Sequence, residues 1–142
     1  MPHQISVFLE NKPGKLQRVT ELLAGARINI RAIAITDSGD YGILKLLVDD
    51  PDRAYDVLIE EGLAAAKKEV LALLVPDRPG ALLPVARILK RHQINIDDAY
   101  GFVLQSGTSA VLIIRVEDAR KTARLLKKER FELVEEKDLY YL

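Results

Sequence analysis

The chain has 142 residues, no cysteine, and 21 Lys+Arg balanced by 21 Asp+Glu. That length suits one ordinary domain or two small ones, and 49% hydrophobic residues suffice for a packed core. Zero net charge removes the basic field that non-specific nucleic-acid or acidic-membrane binding needs, and the lack of cysteine removes disulfides, thiolate metal sites and thiol nucleophiles.

Taken in order, residues 4–10 set Ile5, Val7 and Leu9 between more polar neighbours, the period-2 pattern of a strand. Pro13-Gly14 turns the chain, with proline well placed near a helix start. Leu16, Val19, Leu22, Leu23 and Ala26 follow at helical spacing, and the isoleucine-rich segment 29–36 reads as a second strand. A turn at Asp37-Ser-Gly-Asp40 leads into a third strand over 41–48. Asp50-Pro51 is an N-cap followed by a proline at the first helical position, and Gly62 is the expected C′ glycine of that helix. A fourth strand is expected over 63–68.

The pattern then repeats. Pro13-Gly14 recurs as Pro79-Gly80 and Ile28-Asn29-Ile30 as Ile94-Asn95-Ile96, both 66 residues on. Leu16, Val19, Leu22 and Leu23 answer to Leu82, Val85, Ile88 and Leu89. Beyond the turn Ser38-Gly39, matched by Ser106-Gly107, the offset is 68. A tandem duplication follows, with domains over 1–68 and 69–142. The second copy predicts a strand over 70–76, a helix over 80–92, strands over 94–104 and 109–116, a helix over 118–129 and a strand over 131–137.

The order βαββαβ, twice, predicts an α+β fold of two ferredoxin-like modules, each a four-stranded antiparallel sheet with two helices on one face. Leu44, Leu46, Val48 and Leu112, Ile114, Val116 are the expected core face of the third strands. The opposite face carries Ile43, Lys45, Leu47 and Val111, Ile113, Arg115, with Phe8 and Leu74 added by the first strands. So apolar an outer face predicts partial coverage by another subunit.

The strand, Asn11-Lys-Pro-Gly14, an apolar helix, and Ile28-Asn29-Ile30, with the same frame at Asp77-Arg-Pro-Gly80 and Ile94-Asn95-Ile96, resemble the ACT domain. ACT domains are small ligand-binding modules that regulate amino-acid biosynthetic enzymes, and the resemblance spans the chain as two modules with no catalytic domain attached. It implies an amino acid held between modules that sit side by side, near the loop after the first strand. One site would then use Asn11, Lys12, Pro13, Gly14 and Leu16, and the other Asp77, Arg78, Pro79, Gly80 and Leu82. Asn29 and Asn95, with Ile30 and Ile96 beside them, match the residues that reach the ligand from the neighbouring module. Some serine-binding members have a histidine where this chain has Leu9 and Val75, which points away from serine.

The chemistry of these residues agrees. A zwitterion needs donors for its carboxylate and acceptors for its ammonium. Amides at Gly14-Lys15-Leu16 and Gly80-Ala81-Leu82, opening a helix, can donate to a carboxylate, and glycine lets a ligand approach closely. Asp77 is a stronger ammonium acceptor than Asn11, so the two sites are not equivalent, and the sequence leaves open whether both are occupied.

Other classes fare worse. His3 and His92 are far apart without matched carboxylates, which argues against a triad or a metal. The cluster Asp49-Asp50-Pro51-Asp52 reads as helix capping rather than a magnesium site. RNA-recognition modules share the element order but need aromatics on the first and third strands, where only Phe8 and Tyr41 stand. The basic run from Arg120 to Arg130 reads as a solvated helix face. The expected protein is cytoplasmic, with an amino-acid ligand and no catalysis, metal, cofactor, nucleic acid or membrane partner. A homodimer through sheet faces or edges is expected, with a biosynthetic enzyme as a further partner. The alternatives are a regulatory subunit of an enzyme such as acetolactate synthase, or a ligand-free oligomerisation module. If the modules pair through their second strands, Arg31 and Asp97 meet as opposite charges near the axis.

Overall fold

The computed structural model describes all 142 residues. The first module runs β1 (His3–Glu10), α1 (Lys15–Gly25), β2 (Ile30–Ser38), β3 (Tyr41–Val48), α2 (Pro51–Glu60) and β4 (Ala64–Glu69). The second runs β5 (Leu71–Pro76), α3 (Leu83–Arg91), β6 (Asp98–Gln105), β7 (Ser109–Arg115), α4 (Ala119–Lys128), β8 (Glu132–Leu133) and α5 (Glu136–Leu139). The sheets are ordered β2-β3-β1-β4 and β6-β7-β5-β8, the ferredoxin-like arrangement expected from the element order. By contacts the chain divides into His3–Lys68 and Glu69–Tyr140, with Met1 and Pro2 belonging to the second unit. There Val70 N–H donates to the Pro2 carbonyl at 3.0 Å, and the Met1 ammonium lies 3.8 Å from Glu136.

Each module has its own core between sheet and helices. In the first, Ile5, Val7 and Leu9 of β1 and Leu44, Leu46 and Val48 of β3 pack with Val19, Leu23, Ala54 and Leu58 from the helices. In the second, Leu71, Leu73, Val75, Ile114 and Val116 pack with Val85, Leu89, Ala123 and Leu126. Alternation along the strands put these residues on one face, and helical spacing put their partners on one stripe.

The helix ends repeat as the sequence does. Asp50 accepts from Arg53 N–H at 3.2 Å, and Asp118 accepts from Lys121 N–H at 3.1 Å. Both are side-chain N-caps satisfying an amide that the helix leaves unpaired. Gly62 closes α2 at φ 80°, whereas Arg27, Gln93 and Arg130 hold the left-handed conformation without being glycine.

Three expectations are corrected. The strand over 131–137 is only Glu132–Leu133 followed by the short α5. Four consecutive polar residues, Glu135 to Asp138, separate Val134 from Leu139, so alternation cannot bury Leu139, and a helical turn does. Helix α3 starts at Leu83 rather than 80, with Pro84 in its first turn. β6 starts at Asp98 rather than 94, because Ile94 N–H closes α3 by donating to Leu89 O at 2.8 Å. Of the apolar outer-face residues, Phe8 is exposed, whereas Leu47, Val111 and Ile113 are buried in the single chain without another subunit.

Candidate functional site

The loop between first strand and first helix is tied to the distant hairpin in both modules, by different chemistry. Asn11 Nδ2 donates to Gly39 O at 3.1 Å and to Asp37 Oδ1 at 3.4 Å. In the second module Gly107 N–H donates to Asp77 Oδ2 at 2.7 Å, and Asp77 N–H donates to Thr108 O at 3.2 Å. The residues singled out as ammonium acceptors are thus also hairpin latches, and one Asp77 oxygen is already engaged.

The glycines hold the left-handed conformation that the turn requires, at φ 88° for Gly14 and 82° for Gly80. Gly14 is the N-cap of α1, which starts at Lys15, but the Lys15 amide is not free for a ligand, since it donates to Lys12 O at 3.4 Å. In the second module the expectation that Gly80, Ala81 and Leu82 present helix-start amides is corrected. Ala81 N–H donates to Arg78 O, as Lys15 N–H does to Lys12 O in the first module, and Leu83 N–H, at the first residue of the later-starting α3, donates to Gly80 O; both second-module bonds are 3.2 Å. Of the three amides, those of Gly80 and Leu82 donate to no backbone carbonyl.

A cavity of about 730 Å³ opens beside this second loop, within the range of small-molecule sites. It gathers Asp77, Arg78, Gly80 and Leu82 from the expected residues, together with Leu83, Ala99, Gly101 and Val103. Asp77 and Arg78 are its only charged lining residues; the rest is mostly apolar. Tyr100 also borders it, and burial, helped by the charge of Asp98, pushes its phenol well above the ordinary value, so it stays neutral.

Electrostatics separate the two loops. Lys12 lies 2.9 Å and Lys15 3.9 Å from the Glu10 carboxylate. The hydrogen bond and charge of Lys12 hold Glu10 below the usual carboxylate range, and Glu10 in turn raises Lys12. Pro76 stands where Glu10 does, so Arg78 lacks that partner.

Asn29 and Asn95 do not join these loops within their own modules. The Asn29 backbone is tied to Asp49, whose Oδ1 accepts from Asn29 N–H at 2.9 Å while Asp49 N–H donates to Asn29 O at 3.1 Å. Asn95 Nδ2 donates to Asp97 Oδ1 at 3.2 Å at the start of β6, whereas Asp77 reaches the hairpin at its end. Eight extended residues separate those ends by roughly 25 Å. Asn95 borders instead a second, more polar cavity of about 450 Å³ with His92, Asp97, Asp118 and Lys121. Ile96 is 38% exposed, and Ile30 is half-buried against the first core. The carboxylate of Asp97 faces Arg115 of its own module at 3.8 Å.

The three acidic residues of the cluster 49–52 have structural partners: Asp50 caps α2, Asp49 holds Asn29, and Asp52 pairs with Lys67. No group of three or more His, Asp or Glu is placed to hold a metal ion, and no helix is long and apolar enough to cross a membrane. Ala99, Gly101 and Leu83 were missed from sequence, although the mismatches within the repeat, Ile33 against Ala99 and Ile35 against Gly101, marked them.

Comparisons with known proteins agree with this architecture. A protein of solved structure from Bacteroides thetaiotaomicron is 37% identical, with TM-score 0.92 over 99% of this chain and 96% of that one. The ligand-free regulatory subunit of aspartate kinase from Thermus thermophilus is 18% identical, with TM-score 0.62 over 89% of this chain and 91% of that one, a likeness of fold. Aspartokinase III of E. coli, solved with lysine and aspartate, is 20% identical with TM-score 0.50, over 90% of this chain and 31% of that one. No curated protein sequence matches. The description "ACT domain pair" matches residues 1–142, the same span over which the duplicated βαββαβ fold is seen, and the chain belongs to that family of regulatory modules.

Proposed function

We propose that the protein is an amino-acid-binding regulatory protein with no catalytic activity of its own, its ligand held at the loop Asp77-Arg-Pro-Gly80 beside β6. The observation that carries the reading is the 730 Å³ cavity at that loop, apolar apart from one carboxylate and one guanidinium. Those two charges are the complement of a zwitterion, and the free Leu82 amide adds a donor for its carboxylate. Asn95 and Ile96, at the far end of β6, contribute only to a ligand held by a neighbouring module, which makes a second copy of the chain a natural partner. A ligand that favours one arrangement of modules shifts its population, and a biosynthetic enzyme reads that arrangement in the cytoplasm.

A thermal-shift screen of the whole protein against the twenty amino acids at millimolar concentration tests this. A ligand binding only the folded state raises Tm by mass action. Asp77→Asn is the informative variant, because the amide oxygen of asparagine can still accept from Gly107 N–H while the charge is lost. The expected result is one clear hit, weakened in Asp77→Asn at unchanged ligand-free Tm. A flat screen would overturn the reading in favour of an oligomerisation module.

A further inference from the structure

The duplication provides a controlled comparison, because second-strand positions 66 residues apart hold the same place in each sheet. Ile33 pairs with Leu46 as Ala99 pairs with Ile114, and Ile35 pairs with Leu44 as Gly101 pairs with Leu112. Leu44, Leu46 and Ile114 belong to the cores under the helices, so all four second-strand residues face the helix side. In the first module that face of the edge strand carries two isoleucines, 49% and 58% exposed. In the second it carries an alanine and a glycine, and they floor the cavity. Gly101 is also required by the sheet, since a Cβ there would stand 2.9 Å from the Val111 carbonyl oxygen.

Leu82 and Leu83, 50% and 48% exposed, border the same cavity, where the first module has Leu16 and Gln17. Large apolar side chains left half in water beside an open apolar hollow gain when a ligand covers them. The charges change in the same direction. Glu10 pairs closely with Lys12 and more distantly with Lys15 in the first loop, whereas Arg78 meets Pro76 at that place and stays available to an incoming carboxylate.

From these differences we infer that the second module's cavity takes an α-amino acid with a large apolar side chain, of leucine to phenylalanine size. That side chain lies over Ala99 and Gly101 against Leu82 and Leu83, the carboxylate meets Arg78, and the first module has no equivalent site. The inference rests on the amino-acid reading above and adds the ligand class and the stoichiometry.

Isothermal titration of the whole protein with leucine, phenylalanine, alanine, serine, lysine and aspartate separates the outcomes. One molecule of leucine or phenylalanine per chain is expected, at least about tenfold tighter than alanine or serine, because each extra methylene in an apolar pocket contributes on that scale. Ala99→Ile gives the second module the residue of the first and is expected to weaken binding at least about tenfold. Val103→Asp, which copies Asp37 at an exposed position, is a second variant should Ala99→Ile fold poorly. Equal or tighter binding of serine, lysine or aspartate overturns the inference while the amino-acid reading stands. Two ligands per chain, or binding indifferent to both variants, also overturns it. No binding by any of the six overturns the inference, and the screen of all twenty amino acids then decides separately whether the amino-acid reading stands.

Discussion

In the first module the loop after β1 is closed upon itself: Glu10 holds Lys12 and Lys15, and the adjoining sheet edge is covered by Ile33 and Ile35. In the second, the loop after β5 presents Arg78 and Asp77 over an edge reduced to Ala99 and Gly101, and a cavity opens. The backbones answer each other at the Pro-Gly turn, the hairpin latch and the helix caps. Two copies of one fold therefore share the residues that shape the chain and differ in those that line the hollow. A latch needs only an oxygen or amide in reach of a hairpin, so Asn11 and Asp77 both serve; a cavity needs volume, which two isoleucines remove.

The comparison can be broken first in the cores. Leu44 is fully buried, whereas its counterpart Leu112 is half-buried at the cavity. Urea denaturation of Leu44→Ala should show a loss toward the upper end of about 2–5 kcal/mol, and Leu112→Ala one near the lower end. Equal losses would mean that the two positions are packed alike. A smaller effect sharpens the electrostatic contrast. Arg78→Ala should weaken the ligand found by screening by about 1.5–3 kcal/mol, the scale of a hydrogen bond to a charged group, while Lys12→Ala leaves affinity unchanged. Sensitivity to Lys12 would return function to the first loop. The smallest test concerns what the modules share: Asp50→Ala and Asp118→Ala should each cost about 1 kcal/mol in thermal or chemical melts. Unequal costs would show that the caps are not equivalent.

The acid limb of stability follows from the same contacts. Lys67 lowers Asp52 as Lys12 lowers Glu10, through a hydrogen bond and opposite charge. A carboxylate whose folded value lies below its unfolded one stabilises the fold above the unfolded value and loses that contribution as pH falls through the folded one. Both pairs lie at the surface, so solvent and salt screen them.

Much of the fold was legible in the residues because its signals are local. Alternation, helical stripes, Asp-Pro caps and Pro-Gly turns act within a few positions, and a repeat that restates them at a constant offset removes ambiguity. What misled was equally local: Pro84 delayed α3, and the polar run Glu135–Asp138 replaced a strand by a turn of helix. The candidate site was legible only in part. Asp77, Arg78 and Gly80 could be picked out by residue type, but Ala99 and Gly101 carry no chemistry and matter by leaving space.

The pattern of side chains thus dictated two βαββαβ modules, their cores and the loops that face the hairpins, since each depends on neighbours a few residues apart. Only the folded chain decided that Asn95 stands a strand's length from Asp77, that Asp77 already holds Gly107, and that Leu82, Leu83 and a bare sheet edge of the second module gather around a hollow. Those facts depend on strand register and on the bulk of residues distant in the chain, and register and bulk combine only when the sheet is formed.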